Sequence, residues 1–176
     1  MPTLEVTVAP LDLLAKKGAH EVFYFHSINT AVGSGVILTR KGKLVALGLI
    51  GERCPTVEKV IKDLTSRPQW KFASFLPSPS PQTYENYKEI ELWGTPFQQK
   101  VWEALLELTT TTTYQEIATR IHHPKAYRAV GTAVGANPIS LVVPCHLVLP
   151  SHQKSVGNYY WGSSFKKGLL KDLNGQ

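Results

Sequence analysis

Cys145 and His146 are adjacent and follow Pro144. A thiol of ordinary pKa, ~8.5, is only a few per cent thiolate at neutral pH. A nearby base, cation or helix N-terminus would turn it into a nucleophile. Neighbours on a regular strand point to opposite faces. The pair therefore cooperates only if the chain turns here or a water links the two side chains, and Pro144 makes a turn credible. The bland alternative is an inert thiol, since free cysteine is among the most often buried residue types. On these residues alone both readings stand.

The surrounding patterns say what must hold the pair. Ile139–Val143 is a short apolar run suited to a buried strand that leaves the interior at Pro144. Tyr114–Ile121 reads as a short helix with Ile117, Ala118 and Ile121 inward. Pro124 opens a second helix, Lys125 to about Val134, with Ala129, Val130, Ala133 and Val134 on one side. His122-His123 joins the two, which gives a helix-turn-helix pattern. Ala126, Ala129, Gly131, Thr132, Ala133 and Gly135 are small, so the second helix can approach another helix or a nucleic-acid groove closely. Arg128 is the one long cation of its interior. Upstream, Thr95-Pro-Phe-Gln98 carries a capping residue, a proline at the first helical position and a glutamine that closes a capping box. Phe97, Val101, Leu105 and Leu108 then share one face. Thr109–Thr113 interrupts with β-branched residues, which helices disfavour.

The first half reads as strands with one helix. Glu21–Phe25, Gly35–Thr39 and Leu44–Ile50 are β-rich, and Arg40–Lys43 forms a hairpin loop. Thr56 caps a helix with Val57, Val60, Ile61 and Leu64 at helical spacing. Cys54, before that helix, reads as a passive thiol. Ser74–Thr83 holds three prolines in ten residues, a stiff connector. A boundary near residue 90 gives a domain over 1–90 and another over 91–176. The first carries 11 basic and 8 acidic groups, the second 8 and 5, so each is +3.

Composition sets outer limits. The 176 residues carry 19 Lys+Arg against 13 Asp+Glu, for +6 with histidines neutral and a pI near 9.3. Hydrophobic content of 43% and charged content of 18% predict a globular chain of one ordinary domain or two small ones. The longest apolar run, Leu44–Gly51, is far short of a membrane span. Glu5 and Asp12 break up any secretory leader. Two cysteines exclude a four-cysteine zinc site and a disulfide framework, and the histidines, His20 and His26 among them, show no metal spacing. The basic balance permits a nucleic-acid partner without demanding one.

Pro144-Cys-His146, after Gly135-Ala-Asn-Pro138, resembles the active-site motif of the 6-O-alkylguanine-DNA alkyltransferases, the methylated-DNA–protein-cysteine methyltransferases. The resemblance extends, in the family's order, to Gly94–Trp102, Tyr114–Ala118, Tyr127–Gly131 and Val156–Tyr159. It covers residues 94–170; the first half is similar only in size and strand-rich character.

The resemblance implies an α+β chain: a small N-terminal mixed-sheet domain with a helix, and a mainly helical C-terminal domain with a helix-turn-helix. It implies direct DNA repair, a single irreversible transfer of an alkyl group from guanine O6 to Cys145. His146 would take the thiol proton through water, and Asn137 would hold the turn. Tyr114, Tyr159, Tyr160 and Trp161 would surround the substrate. Arg128 would fill the gap left by a flipped guanine. Lys125, Ala126 and Ala129 would lie with Arg128 and Tyr114 against the minor groove of double-stranded DNA. No cofactor is implied; human-type members of the family hold zinc in the N-terminal domain through cysteines and histidines, but the first half here offers only Cys54, His20 and His26, so no structural zinc is expected. The protein would act as a monomer and would reside in the nucleus, or in the cytoplasm of a bacterium.

Four departures bear on these expectations. Leu147 stands where the family has arginine after Cys-His. Leu173 stands where a glutamate orients the histidine, so either Asp172 replaces it through a local shift or His146 lacks a carboxylate. The threonine run replaces a longer segment with proline and glycine. Tyr160 and Trp161 stand where smaller residues are usual, which predicts a narrow pocket. The alternative function is a non-catalytic sensor that binds alkylated DNA and recruits other factors.

Overall fold

The structure, a computed structural model, describes residues 4–9, 21–71, 73–152 and 155–175; Asp12 and His20 lie outside them. The chain divides into two compact units, 1–95 and 96–176. The division falls five residues beyond the boundary expected near 90, because a strand, Glu89–Leu92, belongs to the first unit's sheet.

The first unit is a six-stranded mixed sheet: β1 (Glu5–Val8), β2 (Val22–Thr30), β3 (Gly33–Arg40), β4 (Lys43–Leu49), β5 (Ser74–Pro77) and β6 (Glu89–Leu92), in the order β1-β6-β4-β3-β2-β5. The expected Arg40–Lys43 loop is a two-residue turn. Lys41 and Gly42 both have positive φ, 49° and 77°, which matches the twist of the flanking strands. Helix α1 (Val57–Thr65) begins where Thr56 accepts a hydrogen bond from the Lys59 amide, and it packs on β3 and β4. Cys54, just before it, is buried, and that burial pushes its thiol pKa up, as befits a passive thiol. The start of the proline-rich stretch is a strand rather than a plain connector. Pro77 ends β5 at the sheet's edge, where a missing N–H costs no ladder bond. β1 carried no strand signal strong enough to be expected.

Arg40 holds the centre of this unit. Its Nη1 donates to both carboxylate oxygens of Glu91 at 2.8 Å, and its Nε donates to Glu21 at 2.7 Å. The guanidinium carbon lies 5.3 Å from the centre of the Trp93 ring. Trp93 in turn meets Phe23 edge-on, in a cluster completed by Trp70 and Phe75.

The second unit is mainly helical. It contains α2 (Pro96–Leu106), α3 (Tyr114–Arg120), α4 (Tyr127–Gly135) and α5 (Ser163–Asn174), with a two-stranded parallel sheet of β7 (Thr112–Thr113) and β8 (Val148–Leu149). Helices α2, α3 and α4 pack on one another, and Trp102 Nε1 donates to the Ala133 carbonyl at 2.8 Å. Thr113 and Glu116 form a reciprocal capping box at the start of α3. Helix α4 starts two residues later than expected. Pro124 occupies a turn closed by the Ala126 amide on the His123 carbonyl, so Lys125 and Ala126 precede the helix rather than open it. No helix among the described residues is long and apolar enough to cross a membrane.

Removing one partner of a buried ion pair costs about 3–5 kcal/mol when the other charge is left uncompensated. Glu21 still pairs with Arg40 when Glu91 is gone, so Glu91→Ala is expected to lose stability in urea unfolding, by about 3 kcal/mol or less. Glu21 is a more exposed partner, and its hydrogen bond to Arg40 holds its carboxyl below the usual 4.5. A lowered folded-state pKa means a contribution that is complete above the unfolded value and lost as pH falls through the folded one. The stability gap between the native chain and Glu21→Gln should accordingly shrink on acidification below pH 4.5.

Candidate active site

Asn137 shapes the loop that presents the thiol. Its Oδ1 accepts from the Ile139 amide at 3.0 Å, and its Nδ2 donates to the Val143 carbonyl at 2.9 Å. Between these points the chain makes tight turns instead of the expected strand. The Val142 amide bonds back to Ser140 across Leu141, whose φ is +69°, a γ-turn that a β-strand register cannot accommodate. A second γ-turn follows at Pro144 (φ −80°, ψ 61°), where the Cys145 amide donates to the Val143 carbonyl. The chain then enters a single 3-10 turn, Cys145–Leu147. The turn that cooperation between Cys145 and His146 requires is therefore present.

The threonine run has a positive role here. Thr112 and Thr113 pair with Val148 and Leu149. This ties the residue before Tyr114 to the segment just after Cys145-His146-Leu147. Tyr114 consequently begins its helix beside the thiol, and burial together with the charge of Cys145 raises its phenol pKa.

Cys145 is 7% exposed. Burial raises its pKa. Against that act a hydrogen bond from Asn137, the charge of Lys166, a hydrogen bond from Tyr159 and its own backbone amide. Tyr159 has a deeply buried hydroxyl beside Ser140 and Cys145, with no hydrogen-bond partner of good geometry. Burial and the neighbouring thiolate push its pKa up. Burial and the Lys166 charge lower the His146 ring to about 4, so it is neutral at physiological pH.

Lys166 is the functional residue that motif reading missed as a participant. It lies on α5, is 1% exposed, and donates from Nζ to the Val148 carbonyl at 2.7 Å. Burial lowers its pKa and the thiolate of Cys145 raises it. In the sequence it is one of two adjacent lysines on the last helix, a pattern that usually marks a solvated charge. Ser140 was missed too: its Oγ accepts from Trp161 Nε1 at 2.7 Å and lies beside the Tyr159 hydroxyl.

Other expected residues fall elsewhere. Asp172 is exposed, and Nδ1 of His146 is buried without a hydrogen-bond partner, so this carboxylate does not orient the ring. On a helix Asp172 points about 100° away from the Leu173 position. Trp161 is 1% exposed and props Ser140 from behind, so it does not line an open pocket; Tyr160, half-buried, meets it edge-on. Leu147 is buried. Arg128 and Ala129 are exposed on α4, with Lys125 exposed in the preceding turn and Ala126 half-buried. Among the described residues no group of three or more His, Cys, Asp or Glu is arranged to hold a metal ion.

Residues 96–172 match the sequence model of the 6-O-methylguanine DNA methyltransferase DNA-binding domain. A probable methylated-DNA–protein-cysteine methyltransferase of Acanthamoeba polyphaga mimivirus is 49% identical over 84 residues, 47% of this chain and 55% of its own. The Methanosarcina mazei methylated-DNA–protein-cysteine methyltransferase is 52% identical over 80 residues, 44% of this chain and 50% of its own. The chain thus spans about half the length of the curated relatives it matches. Among solved structures, Mycobacterium tuberculosis O6-methylguanine methyltransferase superposes with a TM-score of 0.66 at 27% identity, covering 87% of this chain and 93% of that one. The OGT of the same organism in complex with DNA gives 0.65 at 26%, covering 86% and 93%. The α+β architecture with its mixed sheet is the one these structures share.

The electrostatics predict a reluctant thiol that depends on Lys166. Alkylation of Cys145 by iodoacetamide, followed by peptide mass mapping, should rise with pH to an apparent pKa above that of an ordinary cysteine. Lys166→Met removes a cation that lowers the thiol pKa and should move that pKa higher still, slowing alkylation at pH 8. An unmoved profile would mean that Lys166 acts on structure alone.

Proposed function

We propose, from a second unit that carries the DNA-binding domain of the 6-O-methylguanine DNA methyltransferases, that this chain repairs DNA by transferring an alkyl group from guanine O6 to Cys145. The observation that carries the reading is the convergence on one buried sulfur of Asn137, Tyr159, Lys166 and Tyr114.

In this reading the thiol proton passes to neutral His146 through water. The sulfur lone pair forms a bond to the alkyl carbon while the carbon–O6 bond breaks, and that bond's electrons return to the guanine, which takes up a proton. Lys166 compensates the thiolate before the attack. The Tyr159 hydroxyl, beside the sulfur, donates to the departing base, and Tyr114 acts on the target nucleotide from the start of α3. A thioether has no route back to thiol here, so each chain acts once.

The alkylated edge of a base cannot be reached within a duplex, so the nucleotide leaves the stack at a cost of a few kcal/mol. Exposed Arg128 on α4 is the side chain proposed to fill the gap, with Ala129 and the turn residues Lys125 and Ala126 against the minor groove. A lesion can occur in any sequence, so phosphate and groove contacts suit this task better than base-edge readout. Action as a monomer on double-stranded DNA is part of the proposal.

Incubation with duplex DNA carrying one 6-O-methylguanine should add one methyl group, about 14 Da, to the native chain and nothing to Cys145→Ala, as read by intact-mass spectrometry. Tight lesion binding without a mass gain would favour the sensor alternative. Because His146 has neither a carboxylate partner nor ordinary basicity, the transfer should be slower than in a homologue with a glutamate at the Leu173 position, measured side by side.

A further inference from the structure

Tyr127 is the one exposed aromatic residue among those described, at 43% exposure. It opens α4, a helix whose other exposed positions, Arg128 apart, are small: Ala129, Thr132 and Gly135. A free-standing ring at this point does nothing for the core. Its neighbour Arg128 forms no ion pair among the described residues; its guanidinium carbon lies 5.8 Å from the centre of the Tyr127 ring. Consecutive helical residues do not ordinarily face each other, so the pair meets only because both long side chains bend the same way over the start of the helix. A cation in the first turn is disfavoured by the helix dipole, and no acidic residue accompanies it there. The negative face of the ring is what holds it.

The same surface leads back to the thiol. Gly131 lies one turn beyond Tyr127 on the same face, and a Cβ placed there would sit 3.8 Å from the Tyr114 ring. Tyr114 feels the charge of Cys145. Tyr127 therefore lies one helical turn from the position that packs against Tyr114.

We propose that Tyr127 is a positioning residue for the Arg128 wedge and a stacking platform for duplex DNA. The ring keeps the guanidinium aligned in the free protein. When Arg128 enters the base stack, the ring it leaves packs against the opened base step. The inference rests on the alkyl-transfer reading. Its ligand chemistry is the π-face of an unstacked nucleobase, and the hydroxyl plays no part.

The test compares Tyr127→Ala, Tyr127→Phe, Arg128→Ala and the Tyr127→Ala/Arg128→Ala double variant with the native chain. Each is given duplex DNA with one 6-O-methylguanine, or the free base 6-O-methylguanine, which needs no flipping. Tyr127→Ala should slow transfer from the duplex at least about three-fold, the scale of an exposed cation–π contact, and leave transfer from the free base unchanged. Tyr127→Phe should match the native chain on both donors. In the double variant, loss of Tyr127 should cost less than in the native background, because the two side chains act as a unit. Native speed on the duplex for Tyr127→Ala, equal losses on both donors, or fully multiplicative effects would each overturn the proposal. Failure of the native chain to take a methyl group from either donor would instead overturn the alkyl-transfer reading on which it stands.

Discussion

The Asn137 carboxamide ties the two ends of a seven-residue loop together, and the candidate site depends on it. One end of the amide takes the Ile139 N–H and the other supplies an N–H to the Val143 carbonyl. That carbonyl also accepts the amide of Cys145. The sulfur's position is thus fixed by backbone bonds that a single buried side chain closes. The positive φ of Leu141 is the local cost, of order 1–3 kcal/mol for a non-glycine residue. A strand through Ile139–Val143 would have avoided that strain but would have sent Cys145 and His146 to opposite faces.

Burial then governs the chemistry. An interior sulfur is raised in pKa and an interior imidazole is lowered, so desolvation alone would leave a protonated thiol beside a poor base. Lys166 partly offsets this. Its ammonium favours thiolate at Cys145 but disfavours a second positive charge on His146, so it helps the nucleophile form while weakening the base that would take the proton. The Val148 carbonyl satisfies one of the lysine's donors and keeps it in place. Since β8 begins at Val148 and pairs with the threonines before α3, a single short ladder sets both the cation and Tyr114.

Much of this was legible in the sequence, and the misses have physical causes. Thr56 announced α1 and Thr95-Pro96 announced α2, and the Lys41-Gly42 turn was plain from its residue types, whereas the Thr113 cap of α3 was hidden in the threonine run. Asn137, Tyr114 and Tyr159 lie around the Cys145 sulfur, while His146 is tied to it only through the charge of Lys166. Ile139–Val143 misled because a short apolar run looks the same whether it is a strand or a buried loop, and only the Asn137 hydrogen bonds distinguish the two. Lys166 was passed over because its burial is decided by the Val148 carbonyl, a partner 18 residues away. Asp172 and Trp161 were placed by motif position, yet α5 turns the first to solvent and the Ser140 hydroxyl draws the second inward.

The second unit leaves groups unsatisfied on both sides of Tyr114, in opposite ways. Inward, Tyr159 keeps a buried hydroxyl without a well-aligned partner, and His146 keeps an unpartnered ring nitrogen. Outward, α4 begins with an alanine cap that makes no side-chain bond, an exposed ring and an arginine at the wrong end of the dipole. Neither set stabilises the fold: buried polar groups without partners cost ~1–3 kcal/mol each, and the outward cation gains only a weak ring contact. Local rules are broken in this way where a partner supplies what is missing. A neutral polar base with hydrogen-bonding edges suits the interior, and a polyanion with stacked faces suits the exterior. One molecule offers both when a nucleotide is turned out of a duplex, and Tyr114 stands where its two halves would part.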